Sequence, residues 1–366
     1  MNIVIIAKTK GLEYDDRIRK EAIALSKKFN VKIYVNFDNN IKEEGITEYG
    51  VPYKSFQLHS RNLLPQSKFL LVKSLEFYLK VAKHIKRNDF IWAHEEYTFL
   101  FTILAKKNNF VWDLHEIPSH FTSKKMLKVF HFIEKKAFKI IHANNYRIKY
   151  LESKKLINNN HKHTFINNFP DSIFTKSIDE DNQFNKFKKW VGNSPYVYLQ
   201  GLSFKSRYPK NTIESIICHN LKAVVVGNVE QKAFKELQLK YGDLSKNIFF
   251  TGMVDQLKIP KYILGAKFSI ILYDINLPNN IFCEPNRLYQ SIALRIPVIT
   301  SNNPPMKDII DKYNIGIALK SDGRNLNEIN EAIEQMNINH IIFKNQLNKH
   351  YHKFIWDDET VVNIFD

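Results

Sequence analysis

The chain has 366 residues, 44% of them hydrophobic and 25% charged, enough for two domains that each bury a core. Its two cysteines, Cys218 and Cys283, exclude a disulfide scaffold, and no Cys/His spacing suggests structural zinc, so a reducing compartment is expected. Net charge is +17, with 30 Lys/Arg against 17 Asp/Glu in residues 1–175 and 24 against 20 in 176–366, an asymmetry that favours an anionic ligand or surface near the N-terminal half.

The opening MNIVIIAKTKG holds about five apolar residues before Lys8, too few for the hydrophobic region of a signal peptide. It reads as a buried strand. Lysines interrupt every longer apolar stretch well short of the roughly 18 residues a spanning helix needs. The expectation is a cytoplasmic protein, soluble or peripheral at the inner face of a membrane.

Short β-branched runs then alternate with amphipathic stretches, the pattern of repeated βα units and parallel sheets. The expected strands of the first half are 2–7, 31–36, 90–93, 110–114, 140–143 and 164–167. Its clearest helices are 16–28, 70–86 and 124–138, each with apolar residues at three- and four-residue spacing. A polar run ending in Gly192-Asn193-Ser194-Pro195 breaks the rhythm, and a linker is expected over 171–195. Strands at 196–200, 223–226, 248–251, 268–273, 298–300 and 316–318 follow. The fold class is α/β, two consecutive doubly wound Rossmann-like domains over 1–175 and 176–345.

Neither half carries the glycine-lysine loop of P-loop proteins, and no G-x-G-x-x-G follows the first strand, where Lys8-Thr9-Lys10-Gly11 has a single glycine. A dinucleotide cofactor site of the usual kind is disfavoured. In open α/β sheets ligands bind outside the carboxyl ends of strands, and two such domains facing each other create a deep cleft. Gly201, Gly227, Gly252 and Tyr273 fall at such strand ends. Pro285 fits a first helical turn, leaving the amides from Asn286 onward at the positive end of the helix dipole, a seat suited to a diphosphate. Arg207, with Lys205 and Lys210 near it, could clamp the same phosphates, and Arg287 could add to the clamp.

In the first half His94 and His115 end expected strands, where an imidazole could orient sugar hydroxyls or accept a proton. Glu95, Asp113 and Glu116 flank them, and strand alternation puts Asp113 and His115 on one face.

Several segments, in order, resemble the family 4-like nucleotide-sugar glycosyltransferases of the GT-B fold. Tyr198-Leu199-Gln200-Gly201-Leu202 with Ser206-Arg207 looks like that group's strand, glycine turn and arginine loop. Val226-Gly227 and Phe250-Thr251-Gly252-Met253-Val254 are similar to its next strand ends. Glu284-Pro285-Asn286-Arg287-Leu288-Tyr289-Gln290, continuing through Arg295-Ile296-Pro297-Val298-Ile299-Thr300-Ser301, resembles its P-N-K-L-F-E helix start and G-x-P-V-I-x-S strand. Asp15-Asp16-Arg17-Ile18-Arg19-Lys20-Glu21-Ala22, Ala93-His94-Glu95 and Trp112-Asp113-Leu114-His115-Glu116 resemble N-terminal motifs of the same group.

The resemblance implies a GT-B enzyme that moves a sugar from a nucleoside diphosphate sugar to a hydroxyl of a glycan or lipid-linked acceptor, with retention of configuration and with neither cofactor nor metal. It gives the acceptor to the N-terminal domain (His94, Glu95, Asp113, Glu116) and the donor to the C-terminal domain (Gly201, Lys210, Gly227, Pro285, Asn286, Arg287, Gln290). His115, Arg207 and Glu284 are the implied catalytic residues, and residues 346–366 form a C-terminal helix that crosses back to the N-terminal domain. The family's E-x7-E pair would fall at 282 and 290, where this chain has Phe282 and Gln290. A glutamine can still accept a ribose hydroxyl through its amide oxygen, and Glu284 lies two residues beyond the first expected position. The family suggests cell-surface polysaccharide assembly, and the basic helices expected over 70–86 and 124–139 could rest on an anionic inner membrane. The missing acidic pair keeps a non-catalytic sugar-nucleotide-binding partner subunit open, and a GT-B sugar-nucleotide epimerase is a further alternative. Charge alone, without a recognised motif, makes no case for nucleic acid.

Overall fold

The computed structural model describes residues 1–64, 69–121, 123, 125–177 and 179–365. It divides into two compact units, Met1–Asn167 with Asp357–Asp366, and Asn168–Trp356. Among the described residues each unit is built on one sheet.

The first sheet has the order β3-β4-β2-β1-β5-β6-β7-β8, with β1 (Asn2–Thr9), β2 (Asn30–Phe37), β3 (Glu44–Ile46), β4 (Pro52–Ser55), β5 (Phe90–His94), β6 (Phe110–Leu114), β7 (Lys139–His142) and β8 (His163–Phe165). All neighbours pair in parallel except β3 on β4. The second has the order β11-β10-β9-β12-β13-β14, with β9 (Tyr196–Leu202), β10 (Lys222–Val229), β11 (Ile248–Gly252), β12 (Phe268–Ile271), β13 (Val298–Thr300) and β14 (Gly316–Ala318), paired in parallel throughout.

Parallel strands buried on both faces read as unbroken apolar runs, which is why the expected strands fall where the real ones do. Along β9, Val197 and Leu199 join one core while Tyr196 and Tyr198 join another on the opposite face. The sequence pattern does not reveal β3, at the sheet edge, or β4 beside it, because Glu-Gly-Ile and Pro-Tyr-Lys-Ser are short and polar, without an apolar run.

The residues expected to form a linker belong instead to the C-terminal unit. Asp171 caps a helix at Ser172–Lys176 and Asp181 caps another at Asn182–Val191, and Phe174, Phe187 and Val191 are buried in the core beside Tyr196 and Tyr262. The boundary therefore lies at 167/168 rather than 175/176, since Phe169 already packs against Tyr289 and Phe354. Residues 346–366 are not one helix. The long helix Leu326–His350 ends before Tyr351, and the stretch from Asp357 belongs to the N-terminal unit, where Phe365 packs on Phe29, Phe90 and Phe138. The expected helices 16–28, 70–86 and 124–138 are Asp16–Ser26, Leu70–Ala82 and Leu127–Lys136. Lys124 lies outside the described residues.

Candidate active site

In the N-terminal unit β5 and β6 end side by side, their register pairing His94 with Asp113. Alternation turns Asp113 and His115 to one side, and three polar atoms close into a triangle: His115 Nε2 to Asp113 Oδ2 at 3.0 Å, His94 Nδ1 to His115 Nε2 at 3.1 Å, and His94 Nδ1 to Asp113 Oδ2 at 3.2 Å. Beneath it lies the helix Asp16–Ser26. Its Arg17 grips Asp113 with two hydrogen bonds, Nε to Oδ2 at 2.8 Å and Nη2 to Oδ1 at 2.7 Å, and donates a third to the Ile166 carbonyl at 2.7 Å. One turn on, Glu21 lies 2.9 Å from Arg17 Nε, accepts from Trp92 Nε1 at 2.7 Å and stands 3.5 Å from His94 Nε2.

Only the rim of this network meets water. Arg17, Glu21, His94 and Asp113 are buried, whereas His115 is 26% and Glu95 33% exposed, their side chains 3.3 Å apart through His115 Nδ1 and Glu95 Oε1. Arg147, on the helix Asn145–Ser153, donates to the His115 carbonyl. Although burial opposes it, Arg17 and the imidazoles hold Asp113 well below the usual carboxylate range. Burial likewise disfavours charge on His115, but Asp113 and Glu95 outweigh it and raise the imidazole to about 9. Desolvation lifts Glu95 to about 7 and raises Glu21 as well. Glu95 also has a left-handed backbone, φ 66° and ψ 168°, a region other residues than glycine enter at a cost of about 1–3 kcal/mol. Its amide donates to the Asp113 carbonyl at 2.8 Å and its own carbonyl accepts from Trp112 Nε1 at 2.9 Å. The expected residues His94, Glu95, Asp113 and His115 thus come together, while Glu116 is exposed. Among the described residues His94, Asp113 and His115 are also the group whose ligand atoms lie close enough to hold a metal ion, but Arg17 already supplies cationic charge to Asp113.

The C-terminal unit builds a different arrangement. Gly201 ends β9 with φ 65°, where a Cβ would stand 2.5 Å from Arg207 Nη1. Glycine therefore lets the chain turn and lets Arg207 reach back to donate to the Gly201 carbonyl at 2.5 Å. Gly227 at the end of β10 has φ 91°, and a Cβ there would stand 3.7 Å from the Gly201 amide nitrogen. Arg287, on the helix Asn286–Ala293, is 5% exposed and donates to the carbonyls of Gln200 and Leu272. Both guanidiniums sit over the Tyr273 ring, at 5.2 Å for Arg207 and 4.7 Å for Arg287. Among the described residues neither has a carboxylate within ion-pair distance, and Arg287 Nε is buried without a hydrogen-bond partner. Burial, with the nearby positive charge of Arg287, pulls Arg207 below its ordinary value.

Pro285 stands at the N-cap of Asn286–Ala293 with no side-chain cap, leaving first-turn amides available for an anion. Asn286 accepts from Asn168 at 2.8 Å. Gln290 is buried, donates to Gln256 at 3.1 Å and leaves its Oε1 without a partner. Half-buried Glu284 accepts from the Tyr289 hydroxyl. Lys210 lies apart from the arginine pair in function, held 2.9 Å from Glu236 in an exposed ion pair. It lines a pocket of about 220 Å³ with Lys205, Tyr208 and Glu230.

Residue typing alone did not mark Arg17, Glu21, Trp92 or Arg147 as site residues. For Arg17 and Glu21 the available signals were the Asp15–Ala22 likeness and their spacing of one helical turn, in a segment whose charges the structure buries.

Residues 209–353 match the model of the family described as glycosyl transferases group 1. Among solved structures, sucrose-phosphate synthase from Thermosynechococcus elongatus superposes with a TM-score of 0.70 at 14% identity, over 98% of this chain and 96% of that one. This is the GT-B fold. A second GT-B neighbour, HepE of Anabaena in complex with UDP and glucose, gives 0.68 at 16% identity over 100% and 97% of the two chains. WaaG, a glycosyltransferase involved in lipopolysaccharide biosynthesis, gives 0.67 at 13% over 96% and 95%. No curated protein sequence matches the chain. With two largely parallel sheets, each in its own Rossmann-like unit, this GT-B chain has its family match wholly within the C-terminal unit.

Proposed function

We propose that the protein is a glycosyltransferase that takes a sugar from a nucleoside diphosphate donor, held by the C-terminal unit, and transfers it to a hydroxyl of a glycan or lipid-linked acceptor handled by the N-terminal unit. One observation carries the donor half: two neighbouring guanidiniums, Arg207 and Arg287, without a carboxylate partner among the described residues and with Arg287 buried. Burying a cation without its counter-ion is costly, and a diphosphate bound by these arginines and by the first-turn amides of Asn286–Ala293 would offset that cost. The same groups would stabilise the charge that grows on the departing nucleotide. The unpartnered Gln290 Oε1 is suited to a ribose hydroxyl, the role the acidic residue at this position fills in the resembling family, which supports a working donor site despite Phe282 and Gln290.

Of the N-terminal residues, His115 and Glu95 are the two of the network that reach solvent and therefore the ones to meet substrate. Retention of configuration and metal independence follow from the family resemblance. Neighbours with UDP, glucose or lipopolysaccharide in their descriptions support a sugar-nucleotide donor and a role in surface polysaccharide assembly.

A membrane-surface role is supported by the helix Leu70–Ala82, which exposes Leu71, Val72, Leu75 and Leu79, with Lys83, Lys86 and Arg87 exposed just beyond it. Apolar residues flanked by basic ones suit an anionic bilayer surface. No helix among the described residues is long and apolar enough to cross a membrane. Co-sedimentation with vesicles containing phosphatidylglycerol, lost in a Leu75→Glu/Leu79→Glu variant, is the expected result; equal binding by the variant would remove this role.

The donor reading is tested by a thermal-shift panel of UDP, GDP, CMP and their sugar conjugates on wild type and Arg207→Ala. One nucleotide should raise the wild-type Tm selectively and leave the variant unmoved. No shift with any nucleotide on folded wild type would favour the non-catalytic partner, and consumption of a sugar nucleotide with no acceptor present would favour the epimerase.

A further inference from the structure

We infer that Arg17 is a positioning residue: through its two-pronged grip on Asp113 it fixes the His115 imidazole, and with it Glu95, as the substrate-facing pair of the N-terminal unit. This rests on the proposed function and adds residues that no strand-end motif marks.

The geometry forms one line of contacts from the interior to solvent. Arg17 binds both oxygens of Asp113, Asp113 Oδ2 meets His115 Nε2, and His115 Nδ1 meets Glu95. The inner members are buried and the last two reach water. Arg17 also ties the line to the backbone just past β8 through the Ile166 carbonyl, so one side chain links the first helix, β6 and the segment after β8. A buried ion network is weak evidence for stability, because well-packed apolar residues of similar volume often do as well. Its specific yield here is a single orientation for an imidazole that solvent would otherwise leave free to rotate. The strained backbone of Glu95, clamped at its amide by the Asp113 carbonyl and at its carbonyl by Trp112, is a second sign that this rim is held in place for a ligand.

The charged and titratable groups around His115 come from every neighbouring element: Asp113 on β6, His94 on β5, Glu95 just after β5, Glu116 next in the chain, Arg17 and Glu21 on the first helix, and Arg147 on the helix Asn145–Ser153. Asp113 and Glu95 favour the imidazolium, while the Arg17 charge taken alone opposes it.

That opposition makes the test decisive. Arg17→Lys keeps the charge but cannot reproduce the two parallel bonds. Selective ¹³C labelling of histidine, in buffer with EDTA, follows the His115 ring through its titration by NMR. Wild type should titrate near 9, and Arg17→Lys should fall by about one unit or more toward the ordinary 6.5 as Asp113 loses its register. A midpoint that stays or rises overturns the inference, since an arginine acting only as a charge or a packing group would not lower it. Should the variant fail to fold, the wild-type Arg17 Nε–H resonance answers instead: it should shift with the His115 midpoint, and independence of the two overturns the inference.

With the nucleotide sugar that the thermal-shift panel selects, kcat should drop on the order of tenfold to a hundredfold while the donor KM holds. A donor KM that rises with kcat unchanged counts against positioning. The ring titration needs no substrate, so a wild-type protein that turns over no donor would sink the transferase reading alone.

Discussion

The two candidate sites handle buried charge in opposite ways. At the N-terminal site the buried charges are paired, with Arg17 held by Asp113 and Glu21. At the C-terminal site Arg207 and Arg287 share an aromatic ring and each donates to backbone carbonyls, but among the described residues neither has a carboxylate partner. A closed charge network sets the position of what lies at its edge. An open one carries excess positive potential and is completed by an anion from outside.

The sharpest way to break the comparison is Asp113→Asn. It removes the carboxylate on which Arg17 and both histidines converge and leaves a buried cation underpaired, which should cost on the order of 3–5 kcal/mol in urea denaturation. A loss below about 1 kcal/mol would mean that the network is not closed in solution.

A second prediction uses pH. The folded protein holds His115 at about 9, above its ordinary value, so the stability it contributes is fully present below pH 6.5 and is lost as pH rises through 9. Glu95, raised to about 7, adds a decline between pH 4.5 and 7, because the folded state keeps its proton after the unfolded chain has released one. His115→Gln should flatten the upper decline by about 2 kcal/mol, discounted for the part of the ring that remains wet, and leave the lower one. A curve that keeps its fall between pH 6.5 and 9 would assign that fall to another group.

The smallest effect belongs to the open site. Arg207→Ala trades one carbonyl hydrogen bond and ring contacts for relief of an unpaired charge, so its unfolding free energy should stay within about 1 kcal/mol of wild type even as the nucleotide-induced shift disappears. A loss as large as that of Asp113→Asn would erase the distinction between the units.

Much of this was legible in the sequence. The central strands announce themselves because burial on both faces demands continuous apolar runs, and the glycines at 201 and 227 mark turns that only glycine makes at little cost. Asp171–Pro195 was not legible as part of a core, because two short capped helices there bury only a few apolar residues, among them Phe174, Phe187 and Val191, amid polar ones. The first helix misleads in the other direction: Asp16, Arg17, Arg19, Lys20 and Glu21 look like a solvated face, yet all are buried. Their role depends on what β5, β6 and the segment after β8 bring to them from as far as 149 residues away, which no local pattern encodes. Lys210 shows the converse, a cation well placed in sequence whose charge is taken by Glu236.

The return of residues 357–365 to the first unit bears on the order of events during synthesis. Phe365 fills a niche among Phe29, Phe90, Trp92 and Phe138, and Asp358 pairs with Lys27. On the ribosome the N-terminal sheet can form early, but that aromatic niche stays unfilled until the whole of 168–356 has been made. For this interval the nascent chain shows a greasy socket to chaperones and to its neighbours, and residues 357–365 are the plug that closes it.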